Sequence, residues 1–222
     1  MDDFLLLFDL DGTLVDTLPD LRSALNEALA ERGRPPLTGA QVMAMIGDGA
    51  AALVERALAA SALEPAEMGF LLPRFLEIYE RRPTCLSRPY PAVAETLVTL
   101  RRRGYRTAVC TNKPQHAAEL VLRELELDRL FDAVAGGDRF TAKKPDPRHL
   151  LGVLSLLGGK AERAAMVGDN ANDARAARAA AMPVLLMRYG YGGSGLKALG
   201  ADALLDRFAD LPAALERLGL GP

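Results

Sequence analysis

Short uninterrupted apolar runs recur along this chain, separated by stretches whose apolar residues fall at helical spacing. The runs are Phe4–Phe8, 107–110, Ala133–Ala135, 165–167, Val184–Met187 and Ala203–Leu205. None shows the in-out alternation of a strand with one wet face, so each predicts a strand buried on both sides. Between and after them, helical patterns occupy 93–103, 115–125, Pro147–Leu157, 172–181 and 211–218. Strand and helix in regular succession predict an α/β domain: a doubly wound, mainly parallel sheet of Rossmann-like type.

The stretch 16–84 breaks this succession with amphipathic helix only. Leu18, Leu21, Leu25, Ala28 and Leu29 make one stripe. Leu53, Val54, Ala57 and Leu58 make a second, and Phe70, Leu71, Phe75, Leu76 and Tyr79 a third. Thr38 and Gln41 have the spacing of a capping box, and Pro73 is expected to kink or shorten the third helix. An all-α insertion directly behind the first strand predicts a helical cap domain at 16–84. The α/β core then comprises 1–15 and 85–222, with hinges near 16–17 and 84–89.

Composition narrows the function classes. The chain has 222 residues, half of them hydrophobic, and a formal net charge of −2, which gives no electrostatic case for nucleic acid or an anionic membrane. Phe4–Phe8 is too short for a signal peptide or a membrane span. Cys85 and Cys110 have no metal-ligand spacing and make no disulfide framework, so a reducing cytoplasm is expected.

The candidate chemistry gathers at the ends of predicted strands, where open parallel sheets bind ligands. Asp9 and Asp11 follow the first strand in Asp9-Leu10-Asp11-Gly12-Thr13, two residues apart and therefore on one side of an extended chain. Two like charges so close call for a cation or a shared proton. A nucleophile and a proton carrier beside a divalent metal satisfy that demand. Thr111 and Asn112 follow the second core strand, and Lys144 is held between polar and proline residues in Lys143-Lys144-Pro145-Asp146-Pro147. Gly168-Asp169-Asn170-Ala171-Asn172-Asp173 follows the fourth. Asp169 is costly there unless paired, while Asp173 also suits a helix first turn. Asp9 and Asp169 are hard oxygen ligands of the kind Mg²⁺ takes, and Thr111 and Lys144 suit a phosphoryl group.

This ordered set, DLDGT at 9–13, Thr-Asn at 111–112, Lys-Pro at 144–145 and GDxxxD at 168–173, resembles the haloacid dehalogenase superfamily, specifically its phosphatases with a helical cap. Ile46-Gly47-Asp48-Gly49-Ala50, Gly136-Gly137-Asp138 and Tyr189-Gly190-Tyr191 extend the likeness to the family of phosphoglycolate phosphatases. The resemblance implies a Mg²⁺-dependent phosphomonoester hydrolase with Asp9 as nucleophile and Asp11 as acid, then base. It implies metal ligation by Asp9, the Asp11 backbone carbonyl and Asp169. Thr111 and Lys144 would bind the phosphoryl oxygens and Asn112 would also line the substrate site, with Asp173 orienting Lys144 or a metal-bound water. The substrate is a small phosphorylated metabolite, and the enzyme a monomer or homodimer without nucleic-acid or membrane partners. Other small phosphomonoesters, pyrophosphate, and a sugar-phosphate phosphomutase activity remain open. A phosphonate hydrolase is excluded, because 16–84 contains no lysine for a Schiff base.

Two positions depart from the family pattern. Ala181 stands where relatives usually place glycine at a helix exit. Asp48 brings a negative charge to the cap loop. It is expected to N-cap the helix starting near Gly49, leaving the amides around Gly49 to meet a substrate carboxylate, with Arg56 in a cap-surface salt bridge.

Overall fold

The computed structural model describes residues 3–222. Six parallel strands form one sheet in the order β5-β4-β1-β6-β7-β8, where β1 is Phe4–Phe8, β4 Tyr105–Cys110, β5 Ala133–Ala135, β6 Ala164–Gly168, β7 Val184–Met187 and β8 Ala203–Leu205. β1 lies in the middle, in register with β4 (Leu7 opposite Ala108) and β6 (Leu7 opposite Met166).

Period-two geometry sends alternate side chains of β1 to opposite faces. Phe4, Leu6 and Phe8 enter one apolar cluster with α5 (Val93–Arg102), α6 (Gln115–Glu124) and α9 (Leu211–Arg217). Leu5 and Leu7 enter another with α7 (Pro147–Leu157) and α8 (Ala171–Ala179). Both faces are therefore covered, which is why these strands read as unbroken apolar runs. Among the described residues no helix is long and apolar enough to cross a membrane.

Four helices lie between β1 and the next core helix: α1 Leu18–Ala30, α2 Gly39–Met43, α3 Ala50–Ala60 and α4 Met68–Arg81. α4 packs on α1 and α3, and α2 on α1. The capping box at α2 forms as the spacing predicts, with Gln41 N donating to Thr38 Oγ1 and Thr38 N to Gln41 Oε1. Pro73 does not shorten α4, which runs fourteen residues through it. Pro73 and Gly69, whose carbonyl loses its partner, are both exposed, so water can satisfy that carbonyl.

The two connections of this helical block differ from the plain hinges expected. Val15–Asp16 (β2) and Arg88–Pro89 (β3) pair antiparallel, a two-residue ribbon too short to show in the hydrophobic pattern. Buried Asp20 reinforces it from α1, accepting from Ser87 N and Ser87 Oγ, each at 2.6 Å, and from Leu86 N at 3.0 Å.

Candidate active site

The sheet order reverses at β1, so the carboxyl ends of β4, β1 and β6 open onto one crevice. Each delivers a polar segment there. Asp9 continues the ladder beyond β1 through its amide to Val167 O, Thr111 does so beyond β4 to Ala135 O, and Asp169 follows β6. Asp9, Thr111, Lys144, Asp169 and Asp173 are all buried.

Lys144 ties the cluster together. Its Nζ lies 3.0 Å from Asp9 Oδ1 and 2.7 Å from Asp173 Oδ1. Burial works against the ammonium, but Asp173 and Asp9 outweigh it, so the group stays protonated. Asp173 does two jobs. Its Oδ2 accepts from the amides of Asp169 and Asn170, completing a capping box at α8, while its Oδ1 holds Lys144. The helix-start and lysine-positioning readings of this residue are one geometry.

Asp169 accepts from Tyr191 N at 2.6 Å, Asn170 Nδ2 at 3.1 Å and Thr13 Oγ1 at 3.3 Å. Gly190 explains its place in Tyr189-Gly190-Tyr191. A Cβ there would fall 2.4 Å from Asp169 Cβ and 2.5 Å from the Gly12 carbonyl oxygen. The flanking tyrosines brace the chain behind β1. Tyr189 donates to Thr13 O, and the Tyr191 hydroxyl donates to Asp16 while accepting from Thr17 N and Leu18 N at the start of α1. In the same way Gly136-Gly137-Asp138 supports the segment after β4, with Asp138 accepting from Gln115 N at the first turn of α6.

Asp11 stands apart from this cluster. Its carboxylate accepts from Thr17 Oγ1 at 2.6 Å and from Lys113 Nζ at 3.0 Å. Lys113 is only 5% exposed, although a lysine after Thr-Asn carries no local sign of burial. Burial opposes its charge, and Asp11 and Tyr79 restore it. The sequence reading missed this residue.

The metal-ligating potential is shown by chemistry and charge. Carboxylate oxygens of Asp9, Asp169 and Asp173 lie within 4.8 Å of one another. Burial pushes Asp9 up to about 6 against the pull of Lys144, with Asp173 and Asp11 adding to the rise. Burial, then Asp173 and Asp9, raise Asp169 well above the carboxylate range. Four carboxylates (Asp9, Asp11, Asp169, Asp173) face two ammoniums (Lys113, Lys144), an excess of two formal negative charges. A divalent cation with hard oxygen ligands removes that excess, so the residues fit one.

A cavity lies between this rim and the helical block, lined by Asp9, Asp11, Thr111 and Lys113 on one side and by Phe75 and Tyr79 among the block's residues. The block docks through the loop before α3. Gly47 O accepts from Asn112 Nδ2 at 2.9 Å, and Asn112 Nδ2 also donates to Lys144 O at 2.8 Å. The amide of Asn112 thus joins the loop, the β4 end and the Lys144 segment. Gly49 lines the cavity as the N-cap of α3, with φ 87°. A Cβ there would meet Asn112 O at 2.7 Å.

Asp48 does not cap α3. Its carboxylate pairs with Arg56 and accepts from Asn172 Nδ2 at 2.7 Å, while its carbonyl accepts from Lys143 Nζ at 2.7 Å. The positive φ at Gly49 turns Asp48 away from the helix start and toward the core. The salt bridge expected of Arg56 is made with Asp48 itself, and Arg56 also donates to Met45 O.

A doubly wound α/β sheet with an acidic, metal-competent centre at its switch point and a helical block over it defines a hydrolase class. A profile of haloacid dehalogenase-like hydrolases matches residues 5–181. The chain is 43% identical over 209 residues to the phosphoglycolate phosphatase of Caulobacter vibrioides, covering 93% of this chain and 88% of that one. It is 42% identical over 217 residues to that of Agrobacterium fabrum, covering 96% and 93%. A solved structure from Haemophilus somnus, described as a predicted phosphoglycolate phosphatase, superposes with a TM-score of 0.91 at 34% identity, covering 96% of this chain and 98% of that one. The chain belongs to the haloacid dehalogenase-like hydrolase family, and it is a phosphatase.

Proposed function

We propose that this phosphatase hydrolyses 2-phosphoglycolate with Mg²⁺ through an aspartyl-phosphate on Asp9. The observation that carries the reading is the convergence of Asp9, Asp11, Thr111, Lys144 and Asp169 from separate chain segments below one cavity. The substrate comes from the relatives, whose names specify phosphoglycolate.

An Asp9 carboxylate oxygen attacks phosphorus, and the bond from phosphorus to the ester oxygen breaks. Asp11, held in place by Thr17 and Lys113, gives its proton to the departing alkoxide. Asp11 then takes a proton from water, whose oxygen attacks phosphorus. The bond to Asp9 breaks, and phosphate leaves with the nucleophile restored. Lys144 offsets charge on the phosphoryl oxygens while Asp173 keeps it in position, and Thr111 Oγ1 offers a further donor. Asn112 holds the loop and the Lys144 segment together. The metal, held by Asp9, Asp169 and the Asp11 backbone carbonyl, would neutralise phosphoryl charge.

Residues 16–84 act in this reading as a cap that excludes water when docked, with 1–15 and 85–222 as the core. The β2/β3 ribbon and Asp20 anchor it. The enzyme works in the cytoplasm on a small metabolite, as a monomer or homodimer without nucleic-acid or membrane partners. Buried Cys110, its thiol pushed up to about 12, and exposed Cys85 are both free.

The test is a phosphomonoester panel with and without Mg²⁺, run on the parent protein and on Asp9→Asn. Hydrolysis of 2-phosphoglycolate that needs Mg²⁺ and falls by more than ~10⁴-fold in Asp9→Asn is expected. Turnover at the parent rate in that variant removes Asp9 as nucleophile. A panel in which another ester is strongly preferred removes the substrate.

A further inference from the structure

We infer that Lys113 and Tyr79 form a subsite for an anionic group on the leaving alcohol, which selects phosphomonoesters of small hydroxy acids over those of neutral alcohols. This deepens the proposed function and rests on it. Three observations point the same way. Among the residues lining the cavity Lys113 is the one cation, and its other walls include Leu21, Ile46, Leu53, Phe75 and Leu76. An ammonium in an apolar wall gains more from an incoming anion than one in water does.

The second observation is where Lys113 sits. Its Nζ contacts Asp11, at 3.0 and 3.3 Å from the two carboxylate oxygens, and lies 4.5 Å from the centre of the Tyr79 ring. In the proposed function Asp11 stands at the ester oxygen. In a phosphorylated 2-hydroxy acid the carboxylate begins one carbon beyond that oxygen, which brings it to the neighbourhood of Nζ. One ammonium, with three donors, can then serve Asp11 and the substrate together.

The third is Tyr79 itself. It is 2% exposed, it lines the same cavity beside Lys113, and its hydroxyl donates to no acceptor among the described residues. A buried donor without an acceptor costs stability, and a ligand oxygen relieves that cost. Burial holds the phenol at about 12, so it remains a donor at neutral pH.

The experiment measures kcat/KM for 2-phosphoglycolate and for ethyl phosphate, which replaces the carboxylate by a methyl-sized end. The quantity read is their ratio, in the parent, Lys113→Met, Lys113→Arg and Tyr79→Phe proteins. Lys113→Met is expected to lower the ratio about 10- to 100-fold, with Lys113→Arg recovering part of it and Tyr79→Phe lowering it several-fold. If both substrates fall by one common factor in Lys113→Met, the lysine serves Asp11 alone and the subsite is overturned. A parent ratio near one overturns it too, while hydrolysis of both esters leaves the phosphatase reading intact. Loss of both activities in the parent would refute that reading instead. Should Lys113→Met not fold, the parent decides through inhibition by 3-phosphonopropionate and propylphosphonate. At least ~10-fold tighter inhibition by the carboxylate compound is expected, and equal inhibition rejects the proposal.

Discussion

His149 gives the fold a sensitivity to acid that can be measured without reference to catalysis. It lies on α7, fully buried, with its ring edge-on to Phe140 at 5.8 Å between centroids. Burial pushes its pKa from 6.5 down to about 4, and the Lys144 ammonium adds to the fall, against a weaker pull from the backbone at Gly136 and Ala135. The native state therefore excludes a proton that the unfolded chain accepts. Stability from this group is fully present above pH 6.5 and is lost as the pH falls toward 4. The whole interval corresponds to about 3.4 kcal/mol, of which about 2 kcal/mol is already lost at pH 5. Urea denaturation of the parent and of His149→Phe, each at pH 7 and pH 5, isolates this contribution. The carboxylates of the site titrate in both proteins and cancel in the comparison. The parent should lose about 2 kcal/mol more than the variant between the two pH values. Parallel losses would mean that His149 takes up its proton inside the fold without penalty, and the burial argument would be wrong.

Other substitutions probe the site and its supports. Lys144→Met leaves Asp9 and Asp173 buried without their cation and should cost about 3–5 kcal/mol in urea denaturation; a loss under 1 kcal/mol, on the order of a surface pair, would deny the cluster its electrostatic role. Gly190→Ala forces a methyl into Asp169 and should raise the Mg²⁺ concentration for half-maximal activity about 10-fold or more, while far-UV circular dichroism stays that of the parent. An unchanged Mg²⁺ requirement would show that Asp169 does not hold the ion. Ala181→Gly should stabilise by about 0.5–1 kcal/mol, because exposed Ala181 sits at φ 54° where a Cβ is strained; equal or lower stability in urea would refute that.

Fold and site were legible to different depths for one physical reason. Strands covered on both faces are continuous in sequence, so four of the six predicted sheet strands needed no adjustment, and the other two, β4 and β6, gained two residues each. β4 gained Tyr105 and Arg106 at its start. Arg106 is polar yet half-buried there, because its guanidinium reaches Leu157 O and Asp132, contacts that no local pattern displays. The β2/β3 ribbon escaped because a two-residue strand has no periodicity to read. Asp48 was misjudged because helix-start chemistry is local, whereas its partners Asn172 and Lys143 lie far along the chain.

The same reasoning bears on the two aspartates two residues apart. Their spacing said that both face one site, and left their roles to the family resemblance. Asp9 has Lys144 as its partner and shares the metal-competent cluster, while Asp11 has Lys113 and Thr17 and lies outside it. Each carboxylate thus meets its own ammonium, brought from a different strand end. In the proposed mechanism such separate environments would let one acid act as nucleophile while its neighbour exchanges protons. Lys113 contributes to that separation, and its burial left no local mark in the sequence because Asp11, 102 residues away, and Tyr79 offset it.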